Sequence, residues 1–265
     1  MPDSIEFFSS GSGRPLIMIH PLGLDHRTWD YCLGELSKYR TVMTYDLPGH
    51  GLSPHSEQNY SIEDLSHSLK VSLTDLGIVD ADFLGLSIGG MILQDFAAKN
   101  PDIINKLILV STTNKYSQEW QANWTQRAAK AREGGLQDMI DQFLDAFFTK
   151  DYLEANNQVI DYCRATISKM NGESYAKACE ALSACNLEDS TSLIKSETLI
   201  LCGDQDNILF RDAAYWFERN IQNSKVKWLT AVYYTHLRAH ENRNDLVCRL
   251  LLEKKTAGGG GGGGR

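Results

Sequence analysis

Residues 81–100 read ADFLGLSIGGMILQDFAAKN, an apolar run of strand length that passes without a loop into a helical pattern. A strand apolar on both faces needs cover on both, the situation of a parallel strand between two layers of helices. The joint is Gly85-Leu86-Ser87-Ile88-Gly89-Gly90. Glycine lacks a Cβ and relieves crowding where a strand turns tightly into a helix. The segment therefore demands a helix-covered parallel sheet and places Ser87 at that sheet's carboxyl edge.

The rest of the chain repeats the alternation. PLIMIH (15–20), RTVMTYD (40–46), KLILVS (106–111), ETLILCG (197–203) and KVKWL (225–229) read as strands. SIEDLSHSLKVSLTDLG (61–77) carries Ile62, Leu65, Leu69 and Leu73 at helical spacing, with Ser61 placed to cap it and Gly77 to stop it. MILQDFAAKNP (91–101) and FRDAAYWFERNIQ (210–222) are further helices. This order predicts an α/β fold with a doubly wound, mostly parallel sheet. From about Thr113 to Ser190 strands give way to amphipathic helices such as LQDMIDQFLDAFF (136–148). The expected organisation is a sheet core from 1–112 and 191–231, with 113–190 a helical cap over the strand ends.

Composition argues against some classes of partner. The net charge is −8 and no Lys/Arg block occurs, which argues against nucleic acid. No apolar run reaches the roughly 18 residues of a membrane span, and MPDSIEFFSSGSG does not resemble a secretory signal. Cys32, Cys163, Cys179, Cys185, Cys202 and Cys248 lack CxxC or zinc-type spacing. Reduced thiols in a cytoplasmic protein fit them better than disulfides or a metal site, and no metal is expected.

The pattern G-x-S-x-G between strand and helix makes Ser87 a candidate nucleophile, its hydroxyl pushed out at the sheet edge. The helix behind it offers free N–H groups and a positive dipole end to a developing oxyanion. The alternative is a glycine-rich turn holding an incidental serine. His20-Pro21-Leu22-Gly23 follows another strand. There the Leu22 N–H would be one oxyanion donor and the Ile88 N–H the other. His20 is expected to brace that loop, and His50, within DLPGHGLS (46–53), to be structural. In Gly203-Asp204-Gln205-Asp206 one aspartate should reach the carboxyl edge to orient a histidine, unless both serve a turn or helix cap.

HPLG, DLPGHGLS, GLSIGG and GDQD, in that order, make the chain resemble the α/β-hydrolases. Trp124-Thr-Gln-Arg127 ahead of Gly134-Gly135, and YAKACEAL (175–182), resemble the cap of 3-oxoadipate enol-lactonases. One departure is Pro21, where many hydrolases carry glycine. The resemblance implies a cofactor-free hydrolase that opens a small carboxylated enol-lactone through an acyl-enzyme. Its spacing selects Asp206 as the acid. Arg127 would take the substrate carboxylate bidentately against the flat wall of Trp124, unless Trp124 packs in the cap core and Arg127 is solvated. A carboxylesterase or cofactor-free perhydrolase is the neighbouring alternative, and a non-catalytic small-molecule receptor on the same fold is one of another class.

The family pattern also calls for a histidine soon after the last strand, then a helix. Here the chain reads VYYTHLRAHEN (232–242). A transposase-type sequencing-library adapter translates as VSYTHLRAHE and, beyond its index, as DLVCRLLLEK, which Asp245–Lys254 match without a mismatch. Gly258–Gly264 correspond to a run of G bases read past a fragment end. Residues 232–265 are therefore expected to be translated adapter. His236 would then lie near the expected histidine position only by chance. The native catalytic histidine and C-terminal helix would be missing, and the chain as written would be inactive.

Overall fold

The computed structural model describes residues 5–154 and 158–230. The adapter-like tail, with His236 and the expected C-terminal helix position, lies outside them.

A seven-stranded sheet organises the chain: β1 (Phe8–Ser10), β2 (Pro15–Ile19), β3 (Thr41–Tyr45), β4 (Ala81–Leu86), β5 (Ile104–Val110), β6 (Glu197–Gly203) and β7 (Ser224–Leu229). The spatial order is β1-β3-β2-β4-β5-β6-β7, and every pairing is parallel except that of β1 with β3. The helices are α1 (Asp30–Leu36), α2 (Ile62–Asp75), α3 (Ile88–Lys99), α4 (Gln118–Gly134), α5 (Ile140–Phe147), α6 (Lys150–Glu154), α7 (Gln158–Lys169), α8 (Gly172–Ala184), α9 (Glu188–Thr191) and α10 (Ile208–Asn220). This is the expected mostly parallel α/β-hydrolase fold.

Local chemistry explains the helix ends. Ser61 and Asp64 form a reciprocal capping box at the start of α2. α3 begins directly after Ser87, three residues earlier than periodicity alone indicated, and stops at Asn100 ahead of Pro101. All six residues of β4 are buried, as are residues 88–97 of α3. Phe83 and Phe96 meet between them with ring centroids 5.2 Å apart. Side chains of this size contribute about 1.5–3 kcal/mol each when fully buried, so the sheet centre fixes the Ser87 turn firmly.

Helices α4–α9 all fall between β5 and β6. Within this segment α4 and α8 pack closely enough that a Cβ on Gly172 would collide with the Ala131 carbonyl. Lys177 Nζ of α8 donates to the carbonyls of Ser56 and Glu57, each at 2.8 Å, and Ser174 Oγ bonds His55 Nδ1 at 2.7 Å. The Tyr162 hydroxyl of α7 donates to Asp25 Oδ1 at 2.9 Å. These bonds tie the helical segment to the loops that follow β2 and β3, at the carboxyl edge where the candidate residues cluster.

Candidate active site

Ser87 sits at the tip of the β4–α3 turn with φ 55° and ψ −116°, a left-handed conformation costly for a residue with a Cβ. Its neighbours show how the sequence permits this. A Cβ on Gly85 would run into the Gly89 backbone, and one on Gly89 into the Ile19 carbonyl of β2. The Ser87 N–H is held by the Val110 carbonyl at 3.0 Å, and no side chain caps α3. Ser87 is largely buried, 9% exposed. The only other non-glycine residue with positive φ among the described residues is Ser111, which follows β5 beside it.

The loop from His20 to Gly23 is fixed by two crossed histidines. His20 Nε2 accepts the Leu47 N–H at 3.0 Å, so its Nδ1 carries the proton and donates to the Pro21 carbonyl at 2.9 Å. His50 Nε2 accepts the Gly23 N–H at 3.2 Å, and its Nδ1 donates to the Pro48 carbonyl at 3.1 Å. Burial lowers the pKa of both, that of His50 to about 3, so both rings are neutral braces rather than bases. The Pro21 carbonyl also accepts the Leu24 N–H at 3.3 Å. Across this trans peptide the Leu22 N–H points the opposite way, away from the two groups that hold the carbonyl.

Asp206 lies three residues beyond β6, 6% exposed, where its N–H bonds the Gly203 carbonyl at 3.2 Å and its Oδ1 accepts the Asn207 N–H at 2.8 Å. Asp204 is exposed and its N–H is tied to Leu229, so Asp206 is the more enclosed of the pair. The five described histidines are engaged elsewhere or distant in role. His20 and His50 brace loops, His26 bonds Asp46 at 3.0 Å, His55 bonds Ser174, and His67 is exposed on α2. Asp25, His26 and Asp46 stand close enough to suggest metal ligands. However, Asp46 already accepts the N–H groups of His26 and Leu52, and Asp25 accepts Arg27 and Tyr162. Both carboxylates are satisfied by protein donors.

Trp124 and Arg127 come together on α4. The Arg127 guanidinium carbon lies 5.0 Å from the Trp124 ring centroid, 4.8 Å from that of Phe143 and 5.9 Å from that of Tyr175. Arg127 is half-buried and forms no ion pair among the described residues; its Nε and the Trp124 Nε1 are buried without a hydrogen-bond partner. Phe143 also packs on the loop after β2, since a Cβ on Gly23 would lie 3.1 Å from its ring. The aromatic cage around Arg127 thus abuts the loop that presents the Leu22 N–H. Phe143 and Tyr175 were not foreseen, because only the packing of α5 and α8 brings them to Arg127.

Comparison with known proteins bears on the family and the fold. The profile of the family described as "alpha/beta hydrolase fold" matches residues 14–237. 3-Oxoadipate enol-lactonase 2 of Acinetobacter baylyi is 26% identical over 91% of this chain and 89% of its own length. (E)-2-((N-methylformamido)methylene)succinate hydrolase of the same organism is 24% identical over 76% of this chain and 75% of its own. The crystal structure of the enol-lactonase from Burkholderia xenovorans LB400 superposes with a TM-score of 0.80 at 29% identity, covering 88% of this chain and 90% of that one.

Proposed function

Because the chain belongs to the α/β hydrolase fold family, we propose that it is a serine hydrolase with Ser87 as nucleophile. The observation that carries this is the strained Ser87 at the head of uncapped α3, on the strand–helix turn of a G-x-S-x-G segment. Ser87 Oγ attacks the substrate carbonyl carbon while the Leu22 and Ile88 N–H groups receive the oxyanion. A histidine oriented by Asp206 takes the serine proton and passes it to the departing enol oxygen as the ring C–O bond breaks. Water then hydrolyses the acyl-enzyme with the same histidine as base. No described histidine fills that role, so we assign it to the residues after 230. With 232–265 read as adapter, it belongs to the native continuation.

The substrate we infer is a small carboxylated enol-lactone. An arginine held in an aromatic cage without a protein carboxylate is suited to a carboxylate brought by a ligand. The name of one relative, 3-oxoadipate enol-lactonase 2, points to the same chemistry, and that of another, (E)-2-((N-methylformamido)methylene)succinate hydrolase, to hydrolysis of a carboxylated small molecule. Residues 113–190 then act as the cap that shapes the substrate site. No helix among the described residues is long and apolar enough to cross a membrane. The free cysteines fit a cytoplasmic enzyme, and the proposed chemistry needs no cofactor. Turnover of carboxylated lactones against neutral esters of equal size tests the assignment. Preference for the carboxylated series supports it, and indifference to the carboxylate contradicts it.

A further inference from the structure

Behind the Ser87 turn lies a buried polar relay that the proposed chemistry does not use. The Thr112 hydroxyl donates to the Ser87 carbonyl at 2.7 Å, and the same carbonyl accepts the Met91 N–H at 3.1 Å. Gln94 Nε2 donates to the carbonyls of Thr113 at 3.0 Å and Gly90 at 3.2 Å, and stands 3.5 Å from Thr112 Oγ1. Two carbonyls on one side fix the orientation of that amide. Its Oε1 accepts the Thr191 hydroxyl at 2.9 Å. Thr112, Gln94 and Thr191 are all buried, and a Cβ on Gly90 would strike the Thr112 side chain.

We propose that Thr112 is a positioning residue for the oxyanion-binding N–H of Ile88, held in turn by Gln94 and Thr191. The proposal rests on the reading of the Ile88 N–H as an oxyanion donor. The Ser87 carbonyl and the Ile88 N–H belong to one trans peptide, so they point in opposite directions. Clamping the carbonyl from behind with two donors aims the N–H forward. A hydrogen bond at the carbonyl also polarises the peptide and strengthens its N–H as a donor. The arrangement repeats that of the Pro21–Leu22 peptide, whose carbonyl is held by His20 and the Leu24 N–H. Both proposed donors therefore have doubly anchored carbonyls. Thr191 ends α9, where the helical segment rejoins the sheet, so the relay also links that junction to the Ser87 turn.

The test compares Thr112→Val, which deletes the hydroxyl, with Thr112→Ser, which keeps it. In the full chain, free of substrate, the Ser87 carbonyl ¹³C and Ile88 amide ¹⁵N resonances should move in Thr112→Val and stay near wild type in Thr112→Ser. Thr191→Val should move them in the same direction by less. In turnover of an activated ester by the chain with its native residues after Ala231 in place, Thr112→Val should lower kcat about tenfold with KM nearly unchanged, less than the ~10²–10³ cost of losing an oxyanion donor. Thr112→Ser should recover most of that loss even if its melting temperature falls as far as that of the valine variant. Unmoved resonances in Thr112→Val, or a kcat loss that follows melting temperature in both variants, overturns the proposal. A wild-type chain with its native residues after Ala231 in place that fails to turn over ester refutes the hydrolase reading instead, and the resonances still decide whether Thr112 sets the Ile88 peptide.

Discussion

His20 and His50 hold each other's loops, the Leu47 N–H donating to His20 Nε2 at 3.0 Å and the Gly23 N–H donating to His50 Nε2 at 3.2 Å. Protonating either ring would destroy the acceptor, and burial lowers both pKa values, His50 to about 3. In the unfolded chain these rings titrate near their ordinary 6.5. Below that value the unfolded chain binds protons that the native one refuses. The stabilisation is thus fully present above pH 6.5 and fades as pH falls toward 3. The slope is on the order of 1.4 kcal/mol per pH unit for each histidine. Urea unfolding at pH 7 and pH 5 should show His50→Gln less stable at pH 7 but less sensitive to acidification than wild type. Parallel losses in the two proteins would refute the neutral brace.

The glycines of the Ser87 turn are steric requirements. Gly89→Ala would press a methyl into the Ile19 carbonyl and should destabilise the protein by about 1–3 kcal/mol, the usual cost of overpacking. Gly34→Ala in α1 meets nothing within 4 Å and should be neutral or stabilising by up to about 1 kcal/mol. Thermal unfolding of both variants checks the contrast, and similar melting temperatures would contradict it.

Arg127→Ala should weaken kcat/KM for carboxylated lactones by about 1.5–3 kcal/mol, the scale of a charge-assisted hydrogen bond, and affect neutral esters far less. Equal losses on both substrate classes would show that Arg127 instead supports the packing of Trp124, Phe143 and Tyr175.

Much of the fold was legible because it is written in local patterns. The apolar runs became β2–β7, and Ser61 capped α2 as its spacing with Asp64 indicates. β1 escaped notice because Phe8–Ser10 is short, polar and only an antiparallel edge, and α1 because Asp30–Leu36 buries little beyond Leu36. At the candidate site, the roles open to Ser87 and His20 followed from a motif whose steric logic is local. Thr112, Gln94 and Thr191 had no such signal: they meet only because β4, β5 and the return from α9 converge. The Arg127 cage likewise depends on α4, α5 and α8 folding together, which spacing along the chain does not reveal.

The reading of residues 232–265 makes its own prediction. Independent sequencing across the codons for Leu229–Ala231 should diverge from this chain there, with a histidine codon within about five residues of Thr230, matching the base that the hydrolytic mechanism needs. Reads of the source genome, free of adapter, that still reproduce YYTHLRAHE would return His236 as the leading candidate base.

The central claim is that Ser87 is a nucleophile, and covalent labelling tests it most directly. With the native residues after Ala231 in place, a fluorophosphonate probe should attach at a single site, mapped by peptide mass spectrometry to the segment holding Ser87. Ser87→Ala should abolish labelling and lower hydrolysis by about 10⁴-fold or more, as loss of a triad nucleophile does. Labelling that persists in Ser87→Ala, or hydrolysis within about tenfold of wild type, would contradict the account.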